Sequence, residues 1–126
     1  MLKHRELSRK IIRGFYDVYN ELGTGFLESI YEKSLYIVLK ESGLEVRKQY
    51  PLAVYFMGYK VGSYKADLIV NDKILIELKA VAQLSAEHEA QIINYLKATD
   101  IDFGLLMNFG DKPEFKRFVF EQKRLD

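Results

Sequence analysis

Asp67, Glu77 and Lys79 are charged residues set into two strongly apolar segments: the stretch 66–80 reads ADLIVNDKILIELKA. Successive residues of a strand face opposite sides. Glu77 and Lys79 therefore share a face with Leu75, while Ile74, Ile76 and Leu78 are expected to face a core. The side taken by Asp67 depends on the turn. A two-residue turn at Asn71-Asp72 sets Asp67 opposite Ile76, on the wrong face. A three-residue loop, Asn71-Asp72-Lys73, pairs Val70 with Ile74 and sets Asp67 opposite Glu77. Because a one-residue slip exchanges the faces, a working site requires the three-residue loop or a bulge that supplies the same shift. Two ionised carboxylates at adjacent cross-strand positions repel each other unless a cation lies between them. Their oxygens suit Mg²⁺, and a neighbouring Lys79 can position a water or offset charge on a phosphate. Together these groups suit metal-assisted hydrolysis of a phosphodiester.

An acid-x-Lys triplet alone carries little information. At ordinary charged-residue usage about one is expected by chance in a chain of this length. Two others occur here, Glu114-Phe115-Lys116 and Glu121-Gln122-Lys123. A solvated strand face is the usual explanation for such triplets; the hairpin differs because its charges interrupt strands that should be central. His88, Gln91 and Tyr95 are spaced three and four apart, so they share one face of the following helix. Spacing alone favours an exposed polar stripe there, while the functional reading has Gln91 and Tyr95 orient substrate or water. Glu28 and Glu32 likewise share a face. If Gly25 is the N-cap, Glu28 falls at N3 and can close back on the helix N-terminus; the functional alternative makes it a third acid that reaches the metal directly or through water. Basic residues cluster at Lys3, Arg5, Arg9, Lys10 and Arg13, and again at Lys112, Lys116, Arg117, Lys123 and Arg124. They suit phosphate contacts, although a solvated helix face and a charged tail are the commoner explanations.

The elements that must position these residues follow from periodicity. Leu7, Ile11, Phe15, Val18 and Leu22 form one apolar stripe on a helix over 5–22. A second helix is expected over 26–41, with Leu27, Tyr31, Leu35 and Val38 on one face and Gly43 as a left-handed C-terminal cap. The period then becomes two. Strands are expected over 45–50 and 52–57, with Pro51 at an edge or bend, then over 60–70 and 74–80. Ser85 is a plausible N-cap for a helix running to Thr99 that buries Ile92, Ile93 and Leu96. FGLLMN (103–108) reads as a buried strand and FKRFVF (115–120) as a short last one.

With 126 residues, 48% of them hydrophobic and 29% charged, the chain is expected to be one globular domain, 1–126. A net charge of +1 neither selects nor excludes nucleic acid as a partner. There is no cysteine, hence no disulfide framework and no thiolate metal site. No apolar run approaches the ~20 residues that span a bilayer, and the N-terminus lacks a signal-peptide core; the expected location is the cytoplasm, with no membrane partner.

Several blocks of the sequence resemble the GxxExxY proteins of the PD-(D/E)XK nuclease superfamily. They are Gly25-Phe26-Leu27-Glu28-Ser29-Ile30-Tyr31, Ala66-Asp67 followed by Glu77-Leu78-Lys79, HEAQIINYLKAT over 88–99, and the GLLMNFG of 104–110. The resemblance implies a restriction-endonuclease-like α/β core, αβββαβ, with a mixed central sheet flanked by helices. It implies a nuclease that uses Mg²⁺ or Mn²⁺ and acts on DNA. Asp67 and Glu77 would be metal ligands, the Leu78 carbonyl a third, and Glu28 the first-helix acid; Lys79 would be the catalytic lysine, with Gln91 and Tyr95 a Gln-x-x-x-Tyr element. The proline that precedes the aspartate in the superfamily is Ala66 here. Two other readings stay open: a non-catalytic nucleic-acid-binding or protein-interaction module on the same fold, and a nuclease subunit completed by a homodimer or a partner protein.

Overall fold

The computed structural model describes residues 4–121. Three helices and five strands follow in the order α1 (Arg5–Leu22), α2 (Glu28–Glu41), β1 (Val46–Phe56), β2 (Tyr59–Val70), β3 (Ile74–Lys79), α3 (Ala86–Lys97), β4 (Phe103–Phe109) and β5 (Pro113–Val119). The strands form one sheet in the order β1-β2-β3-β4-β5. Neighbours are antiparallel except β3 and β4, which run parallel and are joined through α3. This is the expected mixed α/β architecture.

The sheet separates two hydrophobic clusters. On one face, Ile11, Phe15 and Val18 of α1 and Tyr31, Leu35 and Leu39 of α2 pack with Leu68, Val70, Ile74, Ile76 and Leu78. On the other, Ile92, Tyr95 and Leu96 of α3 pack with Leu52, Ala66, Ile69, Leu75 and Leu106. β3 and β4 are covered on both faces, which explains their unbroken apolar runs. Each fully buried Leu, Ile or Phe side chain contributes about 1.5–3 kcal/mol, so the central strands are well anchored. α1 and α2 approach closely at Gly14, where a Cβ would lie 3.1 Å from Leu39.

Most expected elements are present with shifted ends. The 45–50 and 52–57 segments are one strand, because β1 is an edge strand and Pro51 can sit there without costing the ladder a hydrogen bond. Its irregularity falls instead at Gln49, which takes φ 50°. α2 begins at Glu28 rather than Phe26: Leu27 is the N-cap and 78% exposed, so it lies off the buried face. Ile93 is only partly buried, since Ile92, Tyr95 and Leu96 fill the α3 stripe. The last strand starts at Pro113, two residues early, because β5 pairs with the whole of β4, Phe109 with Pro113 through Phe103 with Val119. Among the described residues no helix is long and apolar enough to cross a membrane.

Candidate active site at the end of the β2–β3 ladder

The β2–β3 loop holds three residues. Val70 pairs with Ile74, Ile69 with Leu75 and Leu68 with Ile76, and Asn71 and Asp72 accept φ values of 52° and 54°. Asn and Asp enter this left-handed region more readily than other non-glycine residues. The Asn71 side chain also accepts from the Glu45 N–H at 2.9 Å, tying the loop to the start of β1.

Continuing that register places Asp67 opposite Glu77, and there the ladder stops. The Asp67 N–H donates to Glu77 Oε1 at 2.9 Å, and the Leu78 N–H donates to Asp67 Oδ2 at 2.8 Å. Each carboxylate thus replaces a main-chain carbonyl as acceptor. β1 also skips a pair here, from Lys48–Leu68 to Tyr50–Ala66, around the left-handed Gln49. Alternation breaks at the same point: Ala66 joins the cluster that holds Ile69, not the one that holds Leu68. Asp67 therefore occupies a kink where β2 loosens from both neighbours. In a strand the N–H and C=O of one residue face the same neighbour, so the Leu78 carbonyl is directed into this opening.

Burial governs the electrostatics. Glu77 is 3% exposed. Desolvation, followed by the negative charge of Asp67, pushes its carboxyl up to about 8, and Lys79 only partly offsets this. Glu28, at the first position of α2, is raised by desolvation; Lys79 and His88 lower it and Asp67 raises it. The helix start leaves Glu28 without the capping role that an N-cap at Gly25 would give it. Lys79 is half-buried and forms no salt bridge among the described residues. Tyr95 is 8% exposed, stacks on Tyr64 at 4.9 Å and accepts from Gln91 Nε2 at 2.9 Å. Burial raises its hydroxyl, and the charges of Glu77 and Asp67 add to this. Gln91 and Tyr95 are thus a bonded, partly buried pair rather than an exposed stripe, and Tyr95 feels the charge of the acids. His88 serves the helix: its Nδ1 accepts from the Ser85 N–H at 3.0 Å, completing a capping box.

The glycine-rich turn before α2 is held from within the fold. Tyr31 donates to the Gly23 carbonyl at 2.6 Å and accepts from the Phe26 N–H at 3.2 Å. Its ring lies flat on Phe109, 4.2 Å away. The glutamate and the tyrosine of the 25–31 motif therefore have separate tasks: Glu28 faces the acids and Tyr31 fixes the turn that delivers it. Beyond Lys79 the chain is clamped by Asn108, which is fully buried. Its Oδ1 accepts from the Val81 N–H at 3.0 Å, and its Nδ2 donates to the Val81 carbonyl at 2.9 Å and to Glu114 Oε1 at 3.1 Å. Glu114 also accepts from the Leu84 N–H at 3.2 Å, so the 114–116 triplet supplies a structural acid. Gly110 closes the clamp: a Cβ there would lie 2.3 Å from the Val81 carbonyl oxygen.

Two polar neighbours of Asp67 were not assigned roles from the sequence. Gln49 Nε2 donates to Glu32 Oε1 at 2.6 Å and reaches Asp67 Oδ1 at 3.4 Å. Glu32 is raised by desolvation and by Asp67. Its four-residue spacing from Glu28 signalled the shared face; nothing in the alternation of β1 signalled the inward turn of Gln49. Of the basic residues, Arg5, Arg9, Lys10 and Arg13 form an exposed α1 face. Lys3, Lys123, Arg124 and the end of the 121–123 triplet lie outside the described residues.

The donor chemistry fits a hard divalent cation. Two carboxyl groups confront each other, one of them buried and raised by desolvation, beside a backbone carbonyl. Among the described residues no three His, Asp or Glu side chains converge as a ready-made ligand set. Mg²⁺ does not require one, because it commonly uses one or two carboxylates and keeps several waters.

Comparison with known proteins bears on the fold and the family. No curated protein sequence matches the chain. The crystal structure of SSO0001 matches with a TM-score of 0.58 and 20% identity over 75% of this chain and 50% of that one. The alkaline exonuclease LHK-Exo from Laribacter hongkongensis matches with a TM-score of 0.45 and 14% identity over 74% of this chain and 55% of its own. This chain therefore spans about half the length of each. The family model of the PD-(D/E)XK nuclease superfamily matches residues 5–118, and the chain belongs to that superfamily.

Proposed function

We propose that the chain is a cytoplasmic nuclease of the GxxExxY group that hydrolyses phosphodiester bonds in DNA with Mg²⁺ or Mn²⁺, its 126 residues forming one domain. The observation that carries this reading is the cross-strand bonding at the open end of β2–β3, from the Asp67 N–H to Glu77 Oε1 and from the Leu78 N–H to Asp67 Oδ2, with Lys79 next in line. Asp67, Glu77 and the Leu78 carbonyl would hold the cation, with Glu28 reaching it through water. A bound cation supplies charge neutralisation at the phosphate and a more acidic water. Lys79 holds its ammonium beside both Glu77 and Glu28, where it orients the attacking water and offsets the charge that grows on phosphorus. Gln91 fixes the Tyr95 hydroxyl, which bounds the site on the α3 side and donates to a phosphate oxygen.

The test is cleavage of end-labelled DNA in Mg²⁺ or Mn²⁺ and in EDTA, with wild type, Glu77→Ala and Lys79→Ala. Metal-dependent cutting by wild type alone supports the proposal. Binding with no cutting under any condition would refute it in favour of a non-catalytic binding module.

A further inference from the structure

The β1–β2 hairpin extends far past the sheet. β2 meets β3 only over Leu68–Val70, whereas its pairing with β1 continues out to Phe56 and Tyr59. The inner part is anchored: Leu52 and Ala66 are buried against α3, and Tyr64 stacks on Tyr95. The outer part carries Tyr55, Phe56, Met57, Tyr59 and Val61 at 61–81% exposure. A regular half-buried strand pair has one polar face, but this tip carries bulky apolar side chains on both, with Lys60 beside Tyr55 on one of them. A bulge at Val54/Tyr55 shifts the register, and Tyr55 then pairs with Lys60 and Phe56 with Tyr59.

Two features set the tip apart from the rest of the sheet. Its turn is Met57-Gly58, with φ values of 51° and 82°. Tight hairpins with two positive φ values favour Asn-Gly, so a bulky, 81% exposed methionine there is a strained choice without a packing reward. The charge is also one-sided. Residues 46–66 contain Arg47, Lys48, Lys60 and Lys65 and no acid; of the chain's 19 basic residues, the other 15 share the remainder with all 18 acidic ones. Arg47 pairs with Glu45 and Asp72, and Lys48 lies over Tyr36, whereas Lys60 and Lys65 are exposed on the arm.

We infer that this arm is a grip for single-stranded nucleic acid, in which Tyr55, Phe56 and Tyr59 stack on unpaired bases and Lys60 and Lys65 meet the adjoining phosphates. Aromatic faces among cations, with no acid nearby, form the usual platform for unpaired bases. A second copy of the chain is disfavoured because two such arms would bring their lysines together without a counter-charge. From Ala66 to Gly58 the strand covers about 26 Å, the distance a single strand would run from the kink at Asp67 to the tip. The nature of the polymer rests on the nuclease reading; the role of the arm is separable from it.

Fluorescence anisotropy with 5′-labelled dT20 in EDTA tests the inference, with sedimentation velocity reporting oligomeric state. Replacing Tyr55, Phe56 and Tyr59 together by alanine should weaken binding at least tenfold and leave the melting temperature unchanged, because all three side chains are exposed. Lys60→Gln with Lys65→Gln should flatten the salt dependence of binding. Arm-dependent binding without any cleavage in Mn²⁺ upholds the grip and overturns the nuclease. Wild-type binding by the triple alanine variant, with metal-dependent cutting retained, overturns the grip and upholds the nuclease. A wild-type dimer that the triple variant turns into a monomer assigns the arm to self-association and also overturns the grip.

Discussion

Glu77→Gln should stabilise the metal-free protein at neutral and alkaline pH while abolishing cation binding. The folded carboxyl sits at about 8 against an ordinary 4.5, because it is buried beside Asp67. Between those two values the folded chain holds a proton that the unfolded chain has released. Stability is therefore greatest below the unfolded value and falls as pH rises toward 8, by about 1.4 kcal/mol per pH unit. From pH 5 to pH 9 the loss sums to about 4 kcal/mol, or on the order of 10–15 °C in melting temperature for a domain of this size. Glutamine has no proton to lose, and its Oε1 can still accept from the Asp67 N–H. The assay is thermal unfolding in EDTA over that pH range. Wild type should lose stability steeply and the variant should not; adding Mn²⁺ should restore wild type alone, since the cation favours the ionised carboxylate. Profiles that stay parallel within about 1 kcal/mol, below what a single resolved shift of this kind predicts, would refute the assignment of Glu77 as a buried acid awaiting a cation.

Lys79→Ala should lower cleavage by about 100-fold or more, as loss of one preorganised charge contact does, with a near-native melting curve; single-turnover cutting of labelled DNA checks this. Tyr31→Phe removes the bonds to Gly23 and Phe26 and should cost about 1–3 kcal/mol, measured by urea unfolding. It should also slow cutting, because the turn that presents Glu28 loosens. Asn108→Leu strands Val81 and Glu114 and should cost about 3 kcal/mol or more by the same method. The exposed Lys116–Glu89 pair, at 2.6 Å with side chains 47% and 33% exposed, predicts a contrast: Lys116→Ala should change stability by less than about 1 kcal/mol.

The elements were legible where one rule dominated. Ile11, Phe15 and Val18 mark a helix face, and the run Ile74–Leu78 can only be a buried strand. The loop Asn71–Lys73 was legible through function: the site required Asp67 opposite Glu77, which three loop residues or a bulge would deliver, and the structure has the three-residue loop. Other features depended on contacts distant in sequence. Pro51 is a visible breaker, yet the bend fell at Gln49, because an edge strand tolerates proline whereas Gln49 turns its amide inward between Glu32 and Asp67. Glu28 could be read as a cap or as a site acid, and only the true start of α2 at Glu28 separates the two. The Asn108 clamp joins residues 27 apart in the chain, and no local pattern announces it.

The stop of the β2–β3 ladder at Asp67 has a consequence for the motions of the sheet. In a regular ladder, amide-proton exchange is slowed by main-chain acceptors that never change charge. The Asp67 and Leu78 amides are instead retained by carboxyl side chains, and such a bond strengthens when its acceptor is ionised. These two amide protons are therefore native reporters of the charge state of the site. Cation capture, which favours ionised carboxylates, should slow the exchange of these two amides at the open end of β3 and leave the amides beside the hydrophobic clusters unchanged.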